Sequence, residues 1–375
     1  MIALALLLAA ATLAGMAFQV AGALLVRRFR TQARPLAEHK PPVVILKPLC
    51  GAEPHLGEDL ATFWRPDWPN LRMVCGVADA SDHAAEAVRG LQARLPAADI
   101  RLVTGGAARA LNAKIANLSN MLAAAGPLAP GTIVVIADSD MRAPPDYLDA
   151  VTAPLAAPGV GLVTCLYVGR PTAGLWSRLG AMGINHAFLP AALVARALGR
   201  ADGCFGATMA LTHETLDRAG GFAACADVLA DDYRLGQRVR DLGLSITLAP
   251  LAVTARVDES DLATLGAHEL RWARTVASVA PVSFAASVVA QPALAWLAAA
   301  AGAWPLLVPA LAVRWAVVRA QERALALPPA PLWLIMLRDG LSLAVFAAAL
   351  CGRSVQWRGK HYRIGRDGRL EARTP

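Results

Sequence analysis

The middle of the chain alternates between short apolar runs and amphipathic stretches, whereas both ends carry long apolar segments. The short apolar runs are residues 43–46, 71–77, 100–103, 133–136 and 160–168. Residues 84–95 and 111–125 lie between them and have the periodicity of helices. Strands that alternate with helices predict an α/β domain with a mostly parallel sheet and helices on both faces. Farther along, residues 232–242 predict a helix and residues 245–248 a short strand.

The first apolar segment, residues 2–26, is long enough to cross a membrane, because about 20 residues span the hydrocarbon core. A basic cluster, residues 27–30, follows this segment instead of preceding it. That order favours a retained anchor over a cleaved signal peptide. By the positive-inside rule, the chain from Arg27 onward is expected on the cytoplasmic side.

The second apolar region is interrupted at Gln291-Pro292 and at residues 302–305, which predicts two spans over residues 282–301 and 303–318. A third run, residues 332–350, contains two charges, Arg338 and Asp339. It fits a full span, a re-entrant segment or an interfacial helix. Charged side chains are energetically costly inside a membrane. Two spans after the catalytic region leave the basic tail on the cytoplasmic side, whereas three do not. We therefore favour the interpretation that residues 332–350 do not cross the membrane fully.

Composition supports a membrane-anchored protein with a soluble middle. Of 375 residues, 56% are hydrophobic and only 17% are charged. The net charge of +8 comes from basic residues that cluster beside the apolar segments, which favours an anionic membrane surface over nucleic acid as partner. The six cysteines form no Cys-x-x-Cys pair, so neither a zinc site nor a disulfide framework is predicted.

Two carboxylates, Asp138 and Asp140, directly follow the buried strand predicted at residues 133–136. Ligands of open α/β sheets bind outside the carboxyl ends of the strands. Two hard oxygen ligands at that position suit Mg²⁺ or Mn²⁺, which would also hold a diphosphate. An isolated Asp-x-Asp is more often a solvated turn at the end of a strand, so the other motifs of the chain must decide.

Three further polar motifs accompany this pair in a fixed order. Asp79 and Asp82 follow the second predicted strand, Asp231-Asp232 opens a predicted helix, and His268-Glu269-Leu270-Arg271-Trp272 precedes the apolar region. Together these motifs resemble the D, D, D, (Q/R)xxRW signature of the ceramide glucosyltransferase family, glycosyltransferase family 21. One position departs from it, since His268 stands where the family has Gln or Arg.

Other stretches extend the resemblance over nearly the whole chain. They are Leu46-Lys47-Pro48-Leu49 with Gly51 (LKPL), Gly105-Gly106 followed by Asn112, Lys114, Asn117 and Leu118 (GG…NxKxxNL), and Trp357-Arg358-Gly359 with Tyr362-Arg363 (WR…YR). The resemblance implies a GT-A fold with terminal transmembrane helices. The expected organisation is an anchor (1–26), a cytoplasmic catalytic domain (27–275), interfacial and transmembrane helices (276–351) and a basic cytoplasmic tail (352–375). We expect a multi-pass protein of a bacterial inner membrane.

The resemblance also implies roles on the donor side. Asp138 would hold the divalent metal, with Asp140 as an auxiliary ligand because some members lack the second acid. Asp79 and Asp82 would contact the uracil and ribose of a UDP-sugar, and Lys114 would lie near its phosphates.

The remaining implied roles belong to a sugar transfer with inversion at the anomeric carbon. The planar guanidinium group of Arg271 would form two hydrogen bonds to a phosphate. Trp272 would line the site or stack on the sugar. Asp232 would accept the proton of the attacking hydroxyl. His186 would lie on the acceptor side.

The apolar segments after Trp272 predict a lipid acceptor. Because a bacterial hopanoid branch resembles this family and the chain is rich in Ala and Arg, we favour N-acetylglucosamine transfer to a hopanoid polyol such as bacteriohopanetetrol. Glucose transfer to ceramide is the alternative. A polysaccharide synthase ranks lower, since it predicts more spans and an intact QxxRW. Retention of all three acidic motifs argues against a non-catalytic scaffold.

Overall fold

The computed structural model of the chain describes residues 2–51, 53–200, 203–357, 360–365 and 368–372. Its strands are β1 (Val43–Pro48), β2 (Leu71–Val77), β3 (Ile100–Thr104), β4 (Ile133–Ile136), β5 (Met141–Arg142), β6 (Val160–Pro171), β7 (Met209–Thr212), β8 (Ser245–Val257), β9 (Ser354–Trp357), β10 (Lys360–Ile364) and β11 (Leu370–Ala372). Its α-helices are α1 (Ile2–Arg30), α2 (Leu56–Ala61), α3 (Ala84–Arg94), α4 (Ala113–Ala125), α5 (Tyr147–Thr152), α6 (Leu175–Gly183), α7 (Leu189–Ala197), α8 (His213–Arg218), α9 (Asp231–Asp241), α10 (Leu262–Val279), α11 (Pro281–Ala286), α12 (Leu294–Ala298), α13 (Leu307–Ala324) and α14 (Leu332–Leu350).

The chain divides into two compact units. Residues 33–167 and 200–256 form the first, which we call the α/β unit. Residues 1–32, 168–199 and 257–375 form the second, the helix-rich unit. Residues 168–199 and 257–275, which the sequence groups with the catalytic domain, therefore belong to the unit that contains the apolar helices.

An eight-stranded sheet in the order β3-β2-β1-β4-β7-β6-β8-β5 organises the α/β unit. The four strands β3, β2, β1 and β4 are parallel. Strand β7 is antiparallel to both β4 and β6, and β5 is antiparallel to β8. The predicted α/β class with a parallel sheet and flanking helices is confirmed, and the structure adds antiparallel pairings in the other half of the sheet.

Both faces of the sheet are covered at its centre, which explains why β1 and β4 are mostly apolar without alternation. Strand β1 is buried at every position. Val43 and Ile45 belong to the hydrophobic core that includes α2 and α3 residues, whereas Val44 and Leu46 belong to the core that includes α4 and α9 residues. Side chains that alternate along the strand therefore enter two different cores.

Helix α4 approaches the sheet unusually closely at Gly76 of β2. A Cβ atom at Gly76 would lie 2.4 Å from Asn117 Oδ1, so only glycine fits there. Asn117 also donates a hydrogen bond of 2.7 Å to the Gly76 carbonyl oxygen. This contact fixes the first turns of α4, and with them Lys114, against the sheet.

The helix-rich unit contains apolar helices that satisfy the length and composition of a membrane span. Among the described residues, three stretches do so: Ile2–Arg30, Leu294–Ala324 and Leu332–Leu350. The second is not one straight helix, because Gly302 has a φ of 109° and interrupts it. The interruption falls where the sequence predicts a break.

The chain reverses direction at this break. Gln291 and Trp296 line the same small cavity, of about 10 Å³, as Ala310 and Arg314. On a continuous helix Gln291 and Arg314 would be about 35 Å apart, at about 1.5 Å per residue. Two antiparallel legs therefore meet near Gly302.

The first leg differs from the continuous span predicted over residues 282–301. It consists of α11, a 3₁₀ turn (Ser287–Ala290) and the short α12. Gln291 is extended, with a φ of −79° and a ψ of 112°. The cause is Pro292, because the residue before a proline is sterically pushed out of the helical region.

Candidate active site

The loop after β4 carries Asp138, Ser139 and Asp140, all half-buried, at the carboxyl edge of the parallel strands. Lys47, the fifth residue of β1, is fully buried and donates a hydrogen bond to the Asp138 backbone carbonyl. Its ammonium nitrogen lies 3.9 Å from the centroid of the Phe63 ring. Burial lowers the pKa of Lys47 to about 8, although the neighbouring carboxylate of Asp140 opposes the shift.

Negative charge accumulates around this loop. Ser139 Oγ donates a 2.5 Å hydrogen bond to Glu53 Oε1 from the loop after β1. Burial, with repulsion from Asp138 and Glu53, raises the pKa of Asp140 to about 8. The raised pKa indicates that neighbouring basic side chains do not fully compensate the negative charge around Asp140.

Lys114 joins this loop to the beginning of α9. Its ammonium nitrogen lies 2.7 Å from Asp138 Oδ1 and 3.3 Å from Asp231 Oδ2. Burial alone would lower the pKa of Lys114, but the nearby carboxylates of Asp138 and Asp231 outweigh it and raise that pKa. Asn112 supports the arrangement, since its side chain caps α4 by accepting from the Lys114 N–H, at 2.9 Å.

Asp232 is held by two backbone donors. The Gly206 N–H donates to its Oδ2 at 2.9 Å and the Tyr233 N–H to its Oδ1 at 2.7 Å. Burial and repulsion from Asp231 raise the pKa of Asp232 to about 6, against the opposing effect of Lys114. A base with a pKa near 6 is ionised at neutral pH and is still basic enough to take up a proton.

Gly206 lies where three of the predicted site residues meet. A Cβ atom built on it would be 3.3 Å from Asp138 Oδ2, 3.4 Å from Asp232 Oδ2 and 3.5 Å from Lys114 Nζ. Residues from the loop after β4, from α4 and from α9 thus converge on one point although they are far apart in the sequence. The structure brings the three predicted site residues Asp138, Lys114 and Asp232 together.

Asp82 and Asp79 differ from each other in environment. Asp82 accepts hydrogen bonds from the Gly51 N–H, at 2.9 and 3.1 Å, and from the Ala84 N–H, at 2.9 Å. It therefore ties the loop after β1 to the start of α3. Asp79 is exposed, and hydrogen bonds from Ser81 lower its pKa.

The (Q/R)xxRW region forms part of α10 in the helix-rich unit. His268 Nδ1 lies 2.8 Å from Glu259 Oε1, and the His268 ring meets the Trp272 ring edge-on at 4.4 Å between centroids. His268 therefore packs against Trp272 and links it to Glu259. The Arg271 carbonyl accepts a 2.7 Å hydrogen bond from Thr275 Oγ1 within the same helix.

His186 lies in a π-helical turn between α6 and α7, also in the helix-rich unit. Its ring is buried, and neither ring nitrogen has a hydrogen-bond partner among the described residues. Burial, with the positive charges of Arg314, Arg319 and Arg338, lowers the pKa of His186 to about 3. The imidazole is consequently neutral, and its nearest acidic atom, Glu322 Oε1, is 3.9 Å away.

The tail motif is only partly covered by the structure. The rings of Trp357 and Tyr362 lie 6.3 Å apart on paired strands of the small β11-β10-β9 sheet. Arg358 and Gly359 of the same motif lie outside the described residues.

The acidic loop fits a divalent metal that is shared with a diphosphate. Within the described parts of the chain, no group of three or more His, Cys, Asp or Glu side chains could hold a metal by itself. Mg²⁺ in nucleotide sites, however, binds through one or two carboxylates plus substrate phosphates. Asp138 and Asp140 supply two carboxylates, and the raised pKa of Asp140 reflects negative charge that a cation would neutralise.

Sequence reasoning did not assign four residues that shape this site: Lys47, Glu53, Gly206 and Asp231. Lys47 carries the one usable signal, since a lysine that continues a wholly apolar strand must find a buried partner. For Gly206 the sequence shows only a glycine within a loop. Its importance comes from long-range contacts that no local pattern encodes.

Comparisons with known proteins bear on the family and the fold of the chain. The model of the family Glycosyl transferase family 21 matches residues 7–370. Ceramide glucosyltransferase 3 of Caenorhabditis elegans is 26% identical over 215 residues, which cover 54% of this chain and 43% of that relative. The match thus spans less than half the length of that curated relative.

A solved structure with a similar fold is the mannosyltransferase PcManGT from Pyrobaculum calidifontis, in complex with GDP-Man and Mn²⁺. The TM-score is 0.54 at 23% identity, with coverage of 93% of this chain and 98% of the other. At this identity the likeness bears on the fold alone, and it supports the expected GT-A architecture.

Proposed function

The chain belongs to glycosyl transferase family 21 and is a glycosyltransferase, and we propose that it moves a sugar from a UDP-sugar to the hydroxyl group of a membrane lipid with inversion at the anomeric carbon. The observation that carries this proposal is the convergence of Asp138, Lys114 and Asp232 around Gly206. A candidate metal-binding carboxylate, a cation and a candidate base lie within one small space, which suits a single displacement.

In the proposed reaction Asp232 is the catalytic base. The acceptor oxygen attacks the anomeric carbon, the bond between that carbon and the diphosphate oxygen breaks, and the hydroxyl proton moves to the Asp232 carboxylate. The Gly206 and Tyr233 N–H groups fix the orientation of this carboxylate. One displacement converts an α-linked donor into a β-linked product, so no second carboxylate is needed as a nucleophile.

The leaving diphosphate gains negative charge in this step. A divalent metal, when bound, would stabilise that charge electrostatically. Asp138 and Asp140 would hold the metal, and the ammonium group of Lys114 is within reach of the same space. Arg271 would add a bidentate contact to a phosphate and Trp272 a surface for the sugar.

The two acids after β2 take different parts in this proposal. Asp79 is exposed and has a lowered pKa, so its carboxylate is available to the ribose hydroxyls or the uracil. Asp82 is already occupied by backbone N–H groups, so we assign it the shaping of the nucleotide loop.

A lipid acceptor is supported by the apolar helices that follow α10 and by the name of the ceramide glucosyltransferase relative. Buried, neutral His186, with two unpaired ring nitrogens, can exchange hydrogen bonds with a lipid hydroxyl. Within the class of lipids we favour a hopanoid polyol that receives N-acetylglucosamine, in a bacterial inner membrane with the catalytic unit facing the cytoplasm. Ceramide that receives glucose is the second candidate.

The experiment offers each donor to each acceptor. Membranes containing the protein are incubated with UDP-N-acetylglucosamine or UDP-glucose and with bacteriohopanetetrol or ceramide, and the lipid products are identified by mass spectrometry. We expect one sugar per lipid, in β linkage, for one pair. Transfer to neither lipid would contradict the proposed acceptor class, and a polymeric sugar product would favour a polysaccharide synthase.

A further inference from the structure

Helix α14 is apolar enough to cross a membrane, yet it carries two charged residues that are fully engaged. Arg338 and Asp339 are each 4% exposed. Arg338 donates to both carboxylate oxygens of Glu269 on α10. Asp339 accepts hydrogen bonds of 3.0 and 2.7 Å from Arg314 on α13. The contact with Glu269 connects α14 to a helix that is not a candidate span.

Contacts between α10 and α14 continue along both helices and in the same order. Near their beginnings, Leu334 of α14 shares a hydrophobic cluster with Leu265 of α10. In the middle of both helices, Arg338 of α14 pairs with Glu269 of α10. Near the end of α14, the Ala348 carbonyl accepts from Arg274 of α10 at 3.4 Å. The two helices therefore run side by side in the same direction.

Helix α10 is too polar for the hydrocarbon core. Within two turns it carries His268, Glu269, Arg271 and Arg274. Each charged side chain at the centre of a bilayer is strongly unfavourable. α10 must therefore stay at the boundary between membrane and water, and so must a helix that accompanies it over its length.

The small sheet after α14 leads to the same conclusion. It begins at Ser354, four residues after the end of α14, and the Ser354 carbonyl accepts a hydrogen bond from Arg274. At the other end of the sheet, a Cβ atom on Gly368 would lie 2.9 Å from Val279 Cγ1 of α10. The exposed charged or polar side chains of the small sheet include His361, Arg363 and Glu371. Since this polar sheet rests on α10, the chain leaves α14 on the side where α10 lies.

The opposite side of α14 has an apolar surface. Trp333, Leu337 and Leu350 are 57%, 44% and 60% exposed. A helix whose one side is covered by protein and whose other side is apolar suits the interface of a leaflet, with its apolar side against acyl chains. Tryptophan is enriched at that depth.

We propose that α14 does not cross the membrane but lies with α10 in the interface of the cytoplasmic leaflet, with both of its ends on the cytoplasmic side. The partner of its exposed side is the acyl region of that leaflet. We assign this leaflet to the cytoplasmic side because α1 ends in arginines, which the positive-inside rule places on that side of the membrane. Such a pair of helices would keep Arg271 and Trp272 at the depth of lipid headgroups.

Cysteine labelling of the full-length protein tests both ends of α14. Cys351 is exposed directly after the helix, and Cys50 is the other exposed cysteine among the described residues. One variant carries Cys50→Ser and keeps Cys351. A second carries Cys50→Ser, Cys351→Ser and Pro328→Cys in the loop before the helix. An Ala3→Cys variant, with both exposed cysteines replaced by serine, reports the opposite side. Each is treated with a membrane-impermeant maleimide in intact cells and in inverted vesicles.

We expect Cys351 and the cysteine at position 328 to react in inverted vesicles and not in cells, with the reverse for position 3. Reaction of either end of α14 from the outer face would overturn the proposal. So would a site that fails to react from the cytoplasmic face but reacts after detergent is added. Because labelling needs no turnover, the result is independent of the transfer assay and of the proposed substrate.

Discussion

Gly206→Ala adds one methyl group at the point where Asp138, Lys114 and Asp232 meet. The φ of Gly206 lies outside the left-handed region, so alanine fits the backbone. The new Cβ would lie 3.3 and 3.4 Å from two carboxylate oxygens, which is tight enough to displace them by a few tenths of an ångström. A misplacement of 1 Å at a reacting centre costs about 100-fold in rate. We therefore expect a loss of about tenfold in kcat/KM, or about 1.4 kcal/mol.

The assay is steady-state sugar transfer by purified protein in lipid nanodiscs, with thermal unfolding measured in parallel. Gly90→Ala is the matched control, because it makes the same change on the exposed side of α3 with nothing within 4 Å of the new atom. Alanine at that helical position should stabilise the protein by about 0.5–1 kcal/mol and leave transfer unchanged. Gly206→Val should reduce transfer further than alanine does. If Gly206→Ala kept kcat/KM within about twofold of the parent protein, the space around Gly206 would not be the reacting centre.

Four other outcomes follow from the same structure. Asp232→Asn should lower kcat by about 1,000-fold while UDP-sugar binding, measured by calorimetry, persists; lost binding would make Asp232 a donor ligand instead of a base. In the unmodified protein kcat/KM should fall about tenfold per pH unit below pH 6. The reason is that burial raises the pKa of Asp232 to about 6 and the protonated carboxyl group cannot accept a proton. A flat profile of kcat/KM down to pH 5 would contradict the role of Asp232 as base. Removal of metal with EDTA should stop transfer and added Mn²⁺ or Mg²⁺ should restore it, whereas an unchanged rate would refute the metal role of Asp138. Arg314→Met should lower the free energy of unfolding by about 3–5 kcal/mol, because Asp339 is then buried without its partner. Thermal unfolding of the double variant Arg314→Met/Asp339→Leu checks the cause: if the loss of the ion pair is responsible, most of the lost stability should return.

The local pattern of the chain was enough to predict the parallel part of the sheet. Its strands are mostly apolar because two cores cover them, and turn formers bound each run. The same pattern placed Asp138 and Asp140 after β4, where parallel strands present ligands. These features depend on sequence neighbours, so they are visible without the fold.

Contacts across the sequence could not be predicted in this way. Lys47 reaches the carbonyl of a residue 91 positions away, and Gly206 matters only because three distant elements close around it. The motifs named Asp138, Lys114 and Asp232 one by one. Their distances from one another, and the pKa of Asp232, depend on how the elements pack.

Hydropathy alone cannot distinguish the two placements of α14, for a physical reason. A helix that crosses a membrane and a helix pressed between protein and lipid are both apolar around most of their circumference, since neither faces water. What bears on the difference is the polarity of the neighbouring helix: α14 contacts α10, which carries several charged side chains, through a bidentate ion pair.

The charge balance of the site connects the fold to the proposed chemistry. Five acids (Asp138, Asp140, Glu53, Asp231 and Asp232) lie around two lysines, Lys47 and Lys114. Lys47 is fully buried and turned toward a backbone carbonyl, so it supports the loop and is not available to a substrate. Burial, together with repulsion from neighbouring acids, raises the pKa of Asp140 and Asp232 alike, and both values should fall when a divalent cation binds. A cation held at Asp138 would therefore extend the pH range in which Asp232 is the ionised base that the proposed reaction requires.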